Sequence, residues 1–153
     1  MVRHLVRSGW RMMRPCALSL VLAVLWFACG SAQTGAAGAL QELQGKWRCV
    51  SSLKDGKHVD VYVGVEAHME GEALTWYFRQ ADGTMKPRSA VFHIDPQQNP
   101  KHFDWHYVDK PEEVHRRLYL VAGDILIWST NLPAAQRPET FTAGGWQFVM
   151  KRL

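Results

Sequence analysis

The side chains in this sequence with most to offer chemically are its aromatics, and what marks them is their spacing. Trp76 and Phe78, Phe92 and Ile94, Phe103, Trp105 and Tyr107, Leu118 and Leu120, Leu126 and Trp128, and Trp146 and Phe148 recur at every second position. That interval places the members of each set on one face of a strand. A surface so lined accepts an apolar or planar molecule, and Trp105 and Tyr107 add polar tips that orient it. Trp76, Phe78, Trp105, Tyr107 and Trp128 are therefore candidate ligand-binding residues. The competing reading is that the same rings fill the interior and leave no space.

A second constellation lies between these aromatics. His102, Asp104 and His106 interleave with Phe103, Trp105 and Tyr107, so they share the opposite face. With a hairpin at Asp95–Pro100, His93 falls opposite Asp104. Imidazoles and a carboxylate are suitable zinc or copper ligands, which makes His93, His102, Asp104 and His106 a candidate metal patch. Alternate positions on a flat outer face rarely close a coordination shell, however, and a solvated polar face accounts for the same residues. No cofactor is expected.

Little else suggests catalysis. Cys49 shares a strand face with Trp47 and reads as a buried thiol acting as a small apolar side chain. Ser51 and Ser52 are not framed by glycines as a nucleophile elbow requires. No phosphate loop and no HExxH zinc motif occurs. The expectation is a protein without enzymatic activity.

The elements that position these residues are strands. From Lys46 onward, apolar and polar residues alternate, interrupted about every ten residues by turn signals such as Asp55-Gly56, Glu70-Gly71, Asp82-Gly83 and Gly123-Asp124. Val59, Val61, Val63 and Val65 read as a strand leading to Met69, and Lys110-Pro111-Glu112 reads as a turn before a strand at His115–Val121. No long segment has helical period; Leu40–Gln44 suits one helical turn. About eight short strands joined by hairpins predict an all-β, antiparallel, up-and-down barrel, since closure removes exposed sheet edges. A barrel of this size is either filled by side chains or holds one small ligand. The longest irregular stretch, Asn131–Gly145, is the candidate functional loop. It would bring Arg137 to one barrel mouth as a further ligand-binding residue.

Several short segments, in order, resemble a known family. Leu43-Gln44-Gly45-Lys46-Trp47, Asp55-Gly56-Lys57, Leu74-Thr75-Trp76, Ile94-Asp95-Pro96, Tyr119 with Gly123-Asp124, and Val149-Met150-Lys151-Arg152 are similar to stretches of the Planctomycete-type lipocalin-like domain, a family of unknown function. The resemblance covers roughly Leu40–Leu153. It implies a lipocalin-like barrel in which Gly45 opens the first strand, Trp47 plugs the closed end, and Arg152 packs across that Trp. These three roles are structural. Ligand binding in the manner of lipocalins would follow by analogy of fold alone.

The N-terminus is unlike the rest. Arg3, Arg7, Arg11 and Arg14 precede an apolar run from Ala17 to Ala28, followed by small residues, the order of an export signal. Residues 1–32 are expected to be that signal, with Met12 or Met13 an alternative start, 33–39 a linker, and 40–153 the barrel domain. Cys29 admits a second reading as a lipidated cysteine, against which stands Trp26 where an aliphatic residue is usual. The four arginines account for the entire +4 net charge, so the domain itself is neutral and no nucleic-acid footprint is expected.

Taken together, these features predict an exported monomer, periplasmic or extracellular, that binds a small hydrophobic molecule or a peptide. It is membrane-anchored only if Cys29 is lipidated. The alternative is a non-enzymatic envelope module with a filled core, and the volume inside the barrel distinguishes the two.

Overall fold

The computed structural model describes residues 35–131, 136–142 and 145–153. The expected signal at 1–32, Cys29 within it, and positions 33 and 34 lie outside them. Residues 35–43 form a helix, α1, so the Gly/Ala stretch expected as a linker is helical from 35 onward. Its alanines favour the helix, and Leu40 and Leu43 anchor it by packing on the core. No helix among the described residues is long and apolar enough to cross a membrane.

Nine strands follow: β1 (Gly45–Lys54), β2 (Lys57–His58), β3 (Glu66–Glu70), β4 (Ala73–Arg79), β5 (Met85–Asp95), β6 (Lys101–Tyr107), β7 (Lys110–Ala122), β8 (Ile125–Thr130) and β9 (Trp146–Arg152). From β3 each pairs antiparallel with the next, and β1 pairs with both β3 and β9, closing an eight-stranded up-and-down barrel. β2 is a two-residue extension paired only to the far end of β1. The all-β barrel expected from the alternation is therefore the fold.

β1 serves two neighbours because it curls around the seam: Gly45–Arg48 pair with β3, and Trp47–Lys54 with β9. A bulge leaves Val50 unpaired between Cys49 and Ser51. Before it Trp47 and Cys49 face inward; after it Ser52 does, fully buried, its hydroxyl donating to the Val59 carbonyl at 2.5 Å.

Two local expectations are corrected. Val59–Val65 is not a strand. Gly64 has a φ of +88° and Val63 N–H bonds the Asp60 carbonyl at 2.9 Å, so the chain turns there and Val61 is left 70% exposed. A positive φ is cheap only for glycine, which is why the valine alternation breaks at that point. The turn also seats Tyr62 edge-on against Trp146 and Phe148, at 5.0 and 5.2 Å. Second, Lys110-Pro111-Glu112 is not a turn but the start of β7. The β6–β7 register runs from Trp105↔His115 to Tyr107↔Lys110, so extra residues of β7 bulge outward and absorb the proline.

Hairpins alternate between the barrel ends. The end beneath α1 is filled. Phe92 and Phe103 stack at 4.9 Å, Trp128 packs on Phe103 at 5.2 Å, and Leu74 and Leu126 complete a core without exposed surface. Trp47 plugs this end, and its indole N–H donates to the Leu43 carbonyl of α1 at 2.8 Å. The Arg152 guanidinium lies 4.0 Å over the Trp47 ring and donates to the carbonyls of Gln44 (2.5 Å) and Glu42 (2.8 Å). It therefore caps the helix while stacking on the plug. Gly45, at φ +104°, gives the backbone room to turn from helix to strand past that guanidinium. The three positions expected to be structural are placed together.

Arg152→Ala is expected to lower the unfolding free energy by about 2 kcal/mol, from the lost stacking and cap. Arg152→Lys should recover only part of this, since an ammonium cannot stack and fork at once. Urea denaturation of the three proteins measures both; equal stability of wild type and Arg152→Ala would refute the cap.

Candidate functional site

The open half of the barrel is not filled. A cavity of about 210 Å³ lies there. The filled-core expectation thus holds for the closed half only.

Its walls come from inward positions of the strands. β4 contributes Trp76 and Phe78, β6 Trp105 and Tyr107, and β9 Trp146 and Phe148. Ring contacts between and along strands fix them: Trp76 and Trp105 meet across the interior at 5.7 Å, while Trp105 and Tyr107 on β6 lie edge to face at 4.8 Å and Trp146 and Phe148 on β9 stack at 6.0 Å. Cys49, Val65 and Met150 also line it. Burial pushes the Cys49 thiol up to about 11, so it stays protonated at neutral pH. Tyr62 and His115 stand with Tyr107 among the half-buried lining residues.

Of the residues expected to bind ligand, Trp76, Phe78, Trp105 and Tyr107 line this cavity. Trp128 does not: it is wholly buried one layer deeper. Arg137 lies outside the barrel wall. Its Nη2 sits 2.7 and 2.9 Å from the two carboxylate oxygens of Asp104, and its Nη1 donates to the Arg117 carbonyl at 2.6 Å. The described part of the long loop, 136–142, packs on the outer face instead of lining the cavity. Pro138 is fully buried, and the Phe141 carbonyl accepts from Ser129 and Gln147. Leu118 and Ser129, paired across β7 and β8, are buried although they point outward.

That arrangement also empties the metal patch. His93 does lie opposite Asp104, but its ring pairs at 3.6 Å with Glu72 and the Asp104 carboxylate is engaged by Arg137. Among the described residues no three His, Cys, Asp or Glu side chains are placed to hold a metal ion.

The unexpected resident is Arg117. The alternation of Leu118 with Leu120 suggested those two as inward, but the register Phe103↔Arg117 and Trp105↔His115 turns Arg117, His115 and Tyr119 into the barrel. Arg117 is 8% exposed, with its guanidinium 5.1 Å from the Trp105 ring, 5.2 Å from Phe148, 5.4 Å from Trp128 and 5.5 Å from Trp76. Four aromatic faces supply cation–π attraction, which substitutes for hydration only in part. Among the described residues no carboxylate pairs with it, and its Nε has no acceptor. Burial pulls it down to about 10. His115 stacks flat on Trp105 at 4.0 Å, and its Nε2 is likewise buried without a partner. Burial first, then the positive charge of Arg117, holds His115 below its usual range.

The chain matches no family model, no curated protein and no solved structure.

Two outcomes follow from the geometry of the site. Replacing Arg117 by Met keeps the volume and removes an unpaired buried charge, so the ligand-free protein should gain about 1–3 kcal/mol in urea denaturation; a loss of that size would mean the arginine holds the barrel together. His115 and His102 both have lowered values, chiefly through burial. The unfolded chain then binds more protons as pH falls through 6.5, and stability drops toward pH 5. The carboxylates held low, such as Glu66, lose their contribution only below 4.5, outside this window. His115→Phe, which keeps the stack, should flatten the pH 5–7 slope of thermal stability; an unchanged slope would disprove the assignment.

Proposed function

We propose that this is an exported lipocalin-like binding protein that carries a small, largely planar molecule in the open half of its barrel. The observation that carries this reading is the cavity of about 210 Å³ walled by Trp76, Phe78, Trp105 and Tyr107. For comparison, an apolar cavity of about 150 Å³ is enough to bind benzene. One ring with a short substituent matches the volume, whereas a long lipid tail does not. The indole and phenol faces favour a planar body, and the half-buried Tyr62 and Tyr107 add hydroxyls that orient it.

Binding, not catalysis, is the role these groups support. The cavity's thiol is held protonated, near 11, and its histidine is turned flat against Trp105. Export is part of the proposal and rests on the arginine-led apolar segment at the N-terminus. The helix-capped tryptophan plug beneath the cavity supports the lipocalin-like reading, because it closes one end and leaves the other for entry.

Phenylacetamide, a neutral single-ring probe, should bind with one-to-one stoichiometry in isothermal titration and perturb tryptophan emission. Val65→Phe places a ring in the cavity and should abolish that binding while leaving the melting temperature equal or higher. Binding undiminished in Val65→Phe, or no binding to wild type at millimolar probe, would exclude this site.

A further inference from the structure

Three of the residues that line this cavity carry buried donors with nothing to donate to among the described residues. Arg117 Nε, Trp76 Nε1 and Trp105 Nε1 are all buried without an acceptor. Guanidinium and indole N–H groups can only donate. For these three groups the shortage is one of acceptors, and at Arg117 it is accompanied by a positive charge that no carboxylate among the described residues offsets. Aromatic faces cannot relieve it, because they offer no lone pair in the plane of the guanidinium.

Resting on the binding reading above, we infer that the ligand is a monoanion: a small aromatic or apolar carboxylate whose carboxyl group is received by Arg117. A carboxylate brings two acceptor oxygens and the missing negative charge, and its planar geometry matches the guanidinium fork. The pairing also resolves two costs together. An arginine buried alone and a carboxylate buried alone are each strongly disfavoured, whereas the pair, hydrogen-bonded inside a low-dielectric cavity, is not. The volume leaves room for one ring, a methylene and the carboxyl group, with the ring lying among Trp76, Trp105 and Phe148, the rings that already surround the guanidinium.

A second arginine stands at the mouth. Arg88 stands with its guanidinium 3.2 Å over the Tyr107 ring, and its Cα pairs with Trp76, on the inward parity of β5. Asp109 is its nearest acid, at a loose 3.5 Å, and both are substantially exposed. An entering anion would pass one cation at the rim before reaching the second inside.

The test compares phenylacetate with its neutral isostere phenylacetamide at pH 7, by isothermal titration on wild type, Arg117→Met and Arg117→Lys. Wild type should bind phenylacetate at least tenfold more tightly than phenylacetamide. Arg117→Met should lose that preference, its phenylacetate affinity falling at least tenfold to that of phenylacetamide, and Arg117→Lys should retain part of the preference. Phenylacetamide binding with no preference for phenylacetate in wild type would overturn the carboxylate assignment and leave the cavity reading standing. So would a preference that survives in Arg117→Met. Failure of both probes on wild type would overturn the two together. Should Arg117→Met not fold, Arg117→Lys and the wild-type ratio decide: a tenfold ratio reduced in Arg117→Lys supports the assignment, and one unchanged in it refutes it.

Discussion

The barrel depends on one contact at its seam. Trp47 and Arg152 are Cα partners in the β1–β9 ladder, which is the pairing that converts a sheet into a closed barrel. The guanidinium covers the indole and the two together hold the last carbonyls of α1. Closure, plugging and helix docking are thus a single structural event. Without a disulfide among the described residues, where Cys49 is free, this is how the first and last strands are kept together. A solid floor follows, and the half above it can stay hollow because it is not asked to stabilise the closure.

Arg152 and Arg117 make opposite uses of the same chemistry. Arg152 stacks on one aromatic and spends its donors on backbone carbonyls, so it is satisfied. Arg117 is surrounded by four rings and finds no acceptor for its Nε. The first arrangement stabilises a fold; the second stores an unmet demand in it.

The architecture was legible in the sequence because period-two aromatics and turn dipeptides report on backbone geometry directly. The plug was legible too, through Gly45, Trp47 and Arg152. Four of the six ligand-binding candidates also reach the cavity, since Trp76, Phe78, Trp105 and Tyr107 leave no ambiguity about which face is apolar. Arg117 was not legible. In Arg116-Arg117-Leu118-Tyr119-Leu120-Val121 both parities carry apolar residues, and ordinary burial preferences send the arginine outward. What settles the parity is the partner strand, through Phe103↔Arg117, together with the loop segment 136–142 on the outer face, where Leu118 is buried. Neither is local information. Arg137 was misplaced for the same reason: its acceptor, Asp104, lies on the outside of a distant strand.

The bulge at Val50 carries a consequence for how the cavity's rim is specified. β1 is written in two phases, odd residues inward before Val50 and even residues inward after it. The change of phase brings Ser52 inside, where it clasps the Val59 carbonyl and so sets where the following turn begins. That turn delivers Tyr62 to Trp146 and Phe148. A single unpaired residue in the first strand therefore acts as a frame shift whose reading is a tyrosine at the far opening. Insertions or deletions at this point would be transmitted as a change of entrance shape while the plugged end kept its register.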